Sequence, residues 1–399
     1  MENNPANRIQ DHLVFGEFGE VNPSITDSST FTFLTAEKMT ELFEHEIEGC
    51  FLYSRHLNPT GDFLARSLAL MEGTEYAQVT SSGMAAISCT LMQICGCSDE
   101  IISSRTIYGG TYALLKNVLP RFCIKTNFVN ILDINAIKEK INSNTKVIYC
   151  ETISNPLLEV ADIKALRKLA DEYNIILVVD NTFSPMMLAP AQFGAHIVIY
   201  SLTKYVNGAS DCVAGAICST KEFISKLKDV HTGTAMLFGP VLDSFRASSI
   251  LKNLRTLHVR IHQHSKNAMY LAHKFSELGI KCFYPGLIEH PQHQLISSML
   301  TPGYGYGGMI TIDVKDEQNA NKLMVRMQEE KVGYFAVSLG FYKTLFSSPG
   351  TSTSSEIPKE EQESMGMTSG LVRISVGIDE DIERSFKRIK VCMKEIELI

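Results

Sequence analysis

The sequence predicts an α/β protein with a large, mostly parallel β-sheet domain and a smaller C-terminal α/β domain. Short apolar runs with little polar alternation recur in the middle of the chain, as expected of strands buried on both faces. Amphipathic helical patterns separate these runs, which is the order of β-α-β units. A long helical pattern at about 240–276 then leads into further strands and helices, which indicate the second domain.

The 399 residues divide into three predicted parts, since so long a chain exceeds one ordinary core. Residues 1–60 are irregular, with one helix predicted at 35–48. Residues 61–258 form the large domain, and residues 259–399 form the small one. The Ser/Thr/Pro-rich segment 347–362 is predicted to be a loop.

The elements of both domains follow from local patterns. A helix is predicted at 162–174 with Asp162 as its N-cap, and segment 80–94 begins with small hydroxyl residues before becoming helix-forming. The predicted strands are 146–151, 175–180, 195–201 and 212–218 in the large domain, and 307–314 and 371–377 in the small one.

Composition excludes several classes of protein. The formal charge is −7 and no long basic run is present, which argues against nucleic-acid binding. No stretch reaches the length of a membrane span, and the polar N-terminus does not resemble a secretory signal. The ten cysteines are scattered, so we expect reduced thiols in a cytoplasmic protein and no metal site.

Polar residues follow three of the predicted strands. Glu151 and Asn155 come after one strand, Asp180 after the next, and Ser201 and Lys204 after the third, with Thr203 between the last two. Because ligands of open α/β sheets bind at the carboxyl ends of the strands, these side chains are expected to gather at one edge.

The lysine and aspartate allow two interpretations. They form either a partly buried ion pair or a pyridoxal phosphate site, in which a lysine binds the cofactor and a carboxylate keeps its ring nitrogen protonated. The helix start at Gly83 and Met84 is either an ordinary capped helix or a phosphate site made of free N–H groups.

Seven stretches of the chain form a specific set: "YSRHLNPT" (53–60), "SSGMAAI" (81–87), "IYGGTY" (107–112), "VVDNTFSP" (178–185), "YSLTKYVNGASDCVAGA" (200–216), "AVSLG" (336–340) and "GLVRISVG" (370–377). In these stretches the chain resembles the transsulfuration family of pyridoxal-phosphate enzymes, and the resemblance extends from about residue 27 to the end. It implies the fold of type I pyridoxal-phosphate enzymes, like that of aspartate aminotransferase, and usually a homotetramer of two dimers, in which residues 1–60 contact a neighbouring subunit.

The resemblance also implies a role for each matching residue. Lys204 matches the lysine that forms a Schiff base with the cofactor, Asp180 the partner of the ring nitrogen, and Tyr108 the tyrosine stacked on the ring. The phosphate contacts match Gly83, Met84, Ser201 and Thr203, with Tyr53 and Arg55 reaching the phosphate of a neighbouring subunit. Residues around the substrate carboxylate and the cofactor oxygen match Asn155, Ser338 and Arg373.

Four positions depart from the family pattern. Leu57 replaces a usual glycine before "NPT", and Ala209 stands where histidine is frequent. Gly110 stands where methionine γ-lyases commonly have cysteine, which favours a cystathionine lyase. Val337 stands where many cystathionine γ-lyases have glutamate, which favours a simpler thioether substrate. The last two positions therefore point in different directions.

We expect a carbon–sulfur lyase that cleaves cystathionine, methionine or a related amino acid by β- or γ-elimination. The nearest alternative is a γ-replacement synthase of the cystathionine γ-synthase or O-acylhomoserine sulfhydrylase type. A dinucleotide-binding enzyme lacks support, because "GYGYGG" (303–308) precedes a strand rather than joining a strand to a helix. A non-catalytic protein is disfavoured by the intact set of Lys204, Asp180 and Tyr108.

Overall fold

The structure is a computed structural model that describes residues 4–13, 15–33, 35–44, 47, 49–352 and 356–399. The helices are α1 Pro5–Gln10, α2 Ala36–Glu44, α3 Pro59–Glu72, α4 Gly83–Ile94, α5 Gly109–Ala113, α6 Ile134–Lys140, α7 Ile163–Tyr173, α8 Lys221–Lys228, α9 Thr234–Phe238, α10 Ser244–Leu254, α11 Leu257–Glu277, α12 His293–Met299, α13 Glu317–Glu329, α14 Lys359–Ser364 and α15 Ile382–Glu395. The strands are β1 Tyr76–Thr80, β2 Glu100–Ser104, β3 Lys125–Val129, β4 Thr145–Glu151, β5 Ile176–Asp180, β6 Ile197–Ser201, β7 Gly215–Ser219, β8 Lys281–Phe283, β9 Met309–Asp313, β10 Gly333–Phe335, β11 Thr344–Ser347 and β12 Leu371–Ser375. Short helical turns occur at Leu114–Val118, Leu119–Phe122, Pro190–Phe193 and Pro349–Thr351.

The large sheet contains seven strands in the order β1-β7-β6-β5-β4-β2-β3. Strands β6, β5, β4, β2 and β3 run parallel to one another. Two apolar clusters of buried side chains cover its opposite faces, and they account for the nearly continuous apolar character of its central strands. The prediction of an α/β fold with a mostly parallel sheet is confirmed.

The strand predicted at 212–218 is expected to belong to the parallel sheet, and the observed strand β7 differs from it in both direction and position. It begins at Gly215 and is antiparallel to both β6 and β1. Its residues are buried throughout, as in its parallel neighbours. Because a strand covered on both faces has the same apolar pattern in either direction, the sequence pattern does not distinguish the two.

Local caps determine where several helices begin and end. The Asp162 carboxylate accepts the Ala165 N–H at 3.0 Å, which confirms the predicted N-cap of α7. Asn174 ends that helix in the left-handed region, at φ 55°. The helical pattern at 240–276 divides into α10 and α11, which are separated by Arg255 and Thr256.

The small sheet contains five strands in the order β10-β11-β12-β9-β8. All its neighbours are antiparallel except β10 and β11. The predicted strands 307–314 and 371–377 correspond to β9 and β12, which pair directly. A third apolar cluster packs α11, α13 and α15 against this sheet.

The N-terminal part and one loop are described only partly. Helix α2 covers residues 36–44 of the helix predicted at 35–48, and residues 45, 46 and 48 lie outside the described residues. The segment 347–362 contains a short turn and the start of α14, while residues 353–355 lie outside the described residues. The domain boundaries at 60 and 258 stay predictions.

Candidate active site

A cavity of about 410 Å³ opens at the carboxyl ends of β4, β5 and β6. The small sheet closes it from the other side through residues of β12 and of the segment after β10. The predicted site residues that line it are Gly83, Met84, Tyr108, Asn155, Asp180, Ser201, Thr203, Lys204, Ser338 and Arg373. The fold therefore gathers the strand-end residues as expected. It adds Arg373 from β12 and Ser338 from the segment after β10.

Lys204 lies in the turn that follows β6, with its side chain directed into the cavity. Its Nζ donates a hydrogen bond to Ser338 Oγ at 3.3 Å. Burial, followed by the positive charge of Arg373, lowers the pKa of this amine to about 8. An amine with such a pKa is partly neutral near physiological pH, which is the form that acts as a nucleophile or base.

Asp180 and Glu151 are register partners at the ends of β5 and β4. Asp180 accepts the Thr182 N–H at 2.9 Å, and the Tyr149 hydroxyl lies 3.4 Å from its other oxygen. Burial raises the pKa of Asp180. Burial, followed by the neighbouring Asp180 charge, raises the pKa of Glu151 to about 8. Two buried carboxyl groups side by side favour retention of a proton by one of them. Both line the cavity.

Glu151 joins two loops of the cavity and was not among the predicted site residues. One carboxylate oxygen accepts the Tyr108 N–H at 2.8 Å, and the other accepts the Asn155 N–H at 3.1 Å. Its strand-end position was visible in the sequence, but the two backbone contacts depend on loops that meet only in the folded chain. Thr182 was also missed: it lines the cavity, and its hydroxyl accepts the Ser201 N–H at 2.8 Å.

The N-terminus of α4 approaches the end of β6 closely. Ser82 caps the helix, since its hydroxyl accepts the Ala85 N–H at 3.0 Å. A Cβ atom at Gly83 would lie 2.8 Å from Ser201 Cβ, so glycine is required by this close approach. The Thr203 hydroxyl accepts the Ala214 N–H at 2.9 Å. A helix N-terminus flanked by hydroxyls suits a phosphate.

Tyr108 lies at the cavity wall and is 43% exposed. Burial raises the pKa of its phenol, and the charge of Glu356 contributes in the same direction. A Cβ atom at Gly110 would lie 2.5 Å from Tyr108 Cε1. The glycine at this position, one of the departures noted above, therefore makes room for the tyrosine ring where it stands.

Arg373 comes from β12 and is 3% exposed. Its guanidinium donates to Asn155 Oδ1 and to the Ser338 carbonyl, both at 3.3 Å. No ion pair joins it to an acidic side chain within the described ranges. Burial lowers its pKa to about 10, so it stays charged at neutral pH. A buried, charged guanidinium without an acidic partner suits bidentate binding of a carboxylate.

Tyr53 and Arg55 lie outside this cavity. Tyr53 is 41% exposed, and Arg55 donates to the Met236 carbonyl at 3.0 Å. A single chain therefore does not bring these two predicted residues to Lys204. The other ten predicted site residues line the same cavity.

The donor set fits pyridoxal phosphate. The crowded glycine and helix N-terminus suit its phosphate, Asp180 suits its ring nitrogen, and Lys204 suits its aldehyde. Within the part of the chain that the structure describes, no group of His, Cys, Asp and Glu side chains could hold a metal ion. Among the same residues, no helix is both long and apolar enough to span a bilayer.

Comparisons with known proteins agree with this geometry. Residues 8–389 match the family model for Cys/Met metabolism PLP-dependent enzymes. The chain is 42% identical to a methionine gamma-lyase of Arabidopsis thaliana, covering 94% of this chain and 87% of that one. It is 34% identical to the cystathionine beta-lyase MetC of Bacillus subtilis, covering 96% and 93% of the two chains.

A solved structure shows the same fold. It is that of a putative O-acetylhomoserine (thiol)-lyase from Campylobacter jejuni, which carries a pyridoxyl-lysine phosphate. The TM-score is 0.90 at 26% identity, covering 98% of this chain and all of the other. The expected type I fold is thereby confirmed. The chain therefore belongs to the family of pyridoxal-phosphate-dependent enzymes of cysteine and methionine metabolism.

Proposed function

We propose that this chain is a carbon–sulfur lyase that cleaves methionine and related homocysteine thioethers by γ-elimination. With methionine and water, the products are 2-oxobutanoate, ammonia and methanethiol. The apolar cavity mouth carries this choice of substrate: Val337 is 62% exposed and Val213 61%, and both line the cavity. Apolar walls suit a small thioether. The names of the methionine gamma-lyase relatives support the same choice.

The substrate is oriented by groups from both sheets. Arg373 binds the substrate carboxylate through its guanidinium, and Asn155 holds that guanidinium in place through the 3.3 Å contact. Ser338 lies beside both Arg373 and the Lys204 amine. The substrate's γ-substituent then extends toward the more exposed Tyr108 and Val337.

Proton transfer is assigned to two side chains. When bound, pyridoxal phosphate withdraws electrons from the substrate's Cα, and Asp180 keeps the cofactor's ring nitrogen protonated. Lys204 removes the Cα proton and then a Cβ proton, since a neutral amine with a lowered pKa is a suitable base. Tyr108 protonates the departing sulfur, because its raised pKa keeps the phenol protonated at neutral pH.

The remaining site roles follow the family. Gly83, Met84, Ser201 and Thr203 would contact the phosphate at the N-terminus of α4. The amine of Lys204 would hold the cofactor, and Tyr108 would contact the cofactor's ring. These assignments are supported by the common cavity and by the lack of room for a side chain at Gly83.

We further propose that the active enzyme is a homotetramer of two dimers, in which Tyr53 and Arg55 complete the site of the neighbouring chain. Neither residue lines the cavity of its own chain, and Arg55 contacts the Met236 carbonyl instead, which supports this assignment. So do the exposed apolar side chains near Arg55, which are Leu237, Phe238, Val241 and Phe245. The ten free cysteines support a cytoplasmic location.

Turnover of a substrate panel tests the function. Methionine, cystathionine, homocysteine and cysteine are supplied separately to the purified holoenzyme, and 2-oxobutanoate and pyruvate are quantified. We expect the highest kcat/KM for methionine, with 2-oxobutanoate as product. Lys204→Ala abolishes turnover, whereas Lys266→Ala, at an exposed site on α11, does not. A higher kcat/KM for pyruvate formation from cysteine or cystathionine than for 2-oxobutanoate formation from methionine would contradict the γ-elimination.

The synthase alternative is tested by supplying O-acyl-L-homoserine with cysteine. The lyase proposal predicts that 2-oxobutanoate exceeds cystathionine among the products. The reverse product ratio would favour γ-replacement. An O-succinylhomoserine sulfhydrylase of Pseudomonas aeruginosa, 33% identical over 92% of this chain, keeps this test relevant.

A further inference from the structure

Glu356 is an acidic residue of the cavity wall to which the proposed chemistry assigns no role. It immediately precedes the buried Ile357 and lies three residues before α14. Its side chain is exposed, and its negative charge raises the pKa of the Tyr108 phenol, after the larger effect of burial. Glu356 therefore lines the same cavity as Tyr108 and lies near enough for its charge to act on the phenol.

The contacts of Glu356 differ from those of the other acidic residues in the cavity. Glu151 accepts two backbone N–H groups, and Asp180 accepts the Thr182 N–H. Among the described residues, no hydrogen bond or ion pair engages the Glu356 carboxylate. Its charge is consequently available to a molecule in the cavity.

Exposure defines an inner end and a mouth of the cavity. Arg373 at the inner end is 3% exposed, whereas Val337 and Tyr108 are 62% and 43% exposed. A substrate whose carboxylate lies on Arg373 extends its γ-substituent toward this mouth. Among the described residues at this mouth, Glu356 carries a negative charge, so its side chain interacts with any charge on that substituent.

We propose that Glu356 selects substrates by the charge of the leaving group, favouring neutral or cationic thiols and rejecting those that carry a carboxylate. This proposal rests on the proposed γ-elimination and specifies its substrate class. Val337 lines this cavity with an apolar side chain, and Glu356 adds a negative charge to the same lining. An anionic substituent there meets a like charge, which is an element of selection against the wrong substrate.

Because the Glu356 side chain is exposed, its interaction with a charged substituent takes place in a water-like medium, which sets the size of the effect. At about 4 Å in a water-like medium, two unit charges interact by enough to change an equilibrium about fivefold. Salt screens such an exposed interaction within about 10 Å at 0.1 M ionic strength. The charge preference should therefore weaken as salt is added, which an apolar or steric preference would not do.

The test compares three homocysteine thioethers that share the same bond to be broken. L-Ethionine has a neutral leaving thiol, S-(2-aminoethyl)-L-homocysteine a cationic one, and S-carboxymethyl-L-homocysteine an anionic one. The kcat/KM for 2-oxobutanoate formation is measured with the holoenzyme at low and high salt. In the wild type we expect the order cationic, neutral, anionic, with about a fivefold step from neutral to anionic.

Glu356→Gln keeps the shape of the side chain and removes its charge. We expect the neutral-to-anionic ratio to fall about fivefold, through a rise in kcat/KM for the carboxymethyl substrate, and its salt dependence to disappear. Glu360→Gln, at an exposed carboxylate of α14 outside the cavity, is the matched control and leaves the ratio unchanged. Glu356→Ser provides a second charge-free variant.

Two outcomes separate this proposal from the proposed function. If all three thioethers are turned over while neither the charge-free variants nor salt alter the neutral-to-anionic ratio of kcat/KM, that result overturns the role of Glu356. Absence of 2-oxobutanoate from every thioether overturns the γ-elimination instead. In that case the corresponding cysteine thioethers, followed by pyruvate formation, provide the same charge series.

Discussion

Lys204 owes its chemistry to burial rather than to a charged partner. Its amine contacts the Ser338 hydroxyl, and Arg373 is the neighbouring charge that lowers its pKa. The carboxylates of Asp180 and Glu151 are held by other groups. The ion-pair interpretation of Lys204 and Asp180 is therefore not what the structure shows, because no hydrogen bond or ion pair joins these two residues in the described chain.

Cofactor uptake by the apoenzyme should depend on pH through Lys204. The neutral amine is the reactive form, and the lysine has a pKa of about 8 in the folded chain. We expect the rate of pyridoxal phosphate incorporation to rise about tenfold per pH unit below that value and to level off above it. Stopped-flow absorbance follows this rate. A profile still rising steeply above pH 9 would show that burial does not lower the pKa.

Glu151→Gln should reduce activity through the two loops that the carboxylate joins. The amide oxygen can accept one of the Tyr108 and Asn155 N–H groups, and the amide nitrogen then faces the other donor. We expect kcat/KM for methionine to fall about tenfold, with KM raised, as for one buried N–H group left without a hydrogen-bond partner. Glu172→Gln, at an exposed site, is the control. An unchanged KM would contradict this positioning role.

The placement of helix α4 depends on one glycine, Gly83, because any side chain at this position would meet Ser201. Gly83 begins the helix against Ser201 at the end of β6, and a Cβ atom there would lie 2.8 Å from Ser201 Cβ. The strand-helix contact thereby brings the helix N-terminus to the cavity. Sequence patterning predicts the helix and its cap, but not this distance.

Gly83→Ala should weaken cofactor binding more than it destabilises the fold. The added methyl group forces α4 away from Ser201, at a cost of about 1–3 kcal/mol, and displaces the N–H groups proposed to bind phosphate. We expect the Kd of pyridoxal phosphate to rise at least about tenfold. Gly61→Ala, in α3, has room for its Cβ atom, with the nearest contact 3.6 Å away, and serves as the control. Fluorescence titration of the apoenzyme measures both, and equal Kd values would contradict the phosphate assignment.

At the scale of the whole molecule, a single chain holds an incomplete set of the predicted residues. The large and small sheets meet at the cavity, where Arg373 contacts Asn155. Tyr53 and Arg55 remain on the outside, beside Met236 and the exposed apolar residues near it. The site is thus expected to need a second chain.

Mixed oligomers test this sharing of sites. Lys204→Ala and Arg55→Ala chains are each expected to have little activity. Random mixing of equal amounts makes half of the dimers hybrid, and each hybrid has one intact site. About a quarter of wild-type activity should return after unfolding and reassembly of the mixture.

The matched control mixes Lys204→Ala with Asp180→Asn chains. Both residues line the cavity of the same chain, so a hybrid has no intact site and activity does not return. Rescue in this control, or its absence in the first mixture, would contradict the assignment of Arg55 to the neighbouring chain.

The sequence by itself determined the class of fold, the polar residues at the strand ends and, through the family resemblance, ten of the residues that line the cavity. It could do so because strand ends of a parallel sheet share one edge, and because motifs such as "YSLTKYVNG" (200–208) are local. The direction of β7 and the break between α10 and α11 were decided by packing, since apolar patterns are alike in either arrangement. Only the tertiary structure showed the contacts of Glu151 and assigned Thr182 and Glu356 to the site. Their contacts depend on distances between segments far apart in the chain, and no local pattern encodes such distances.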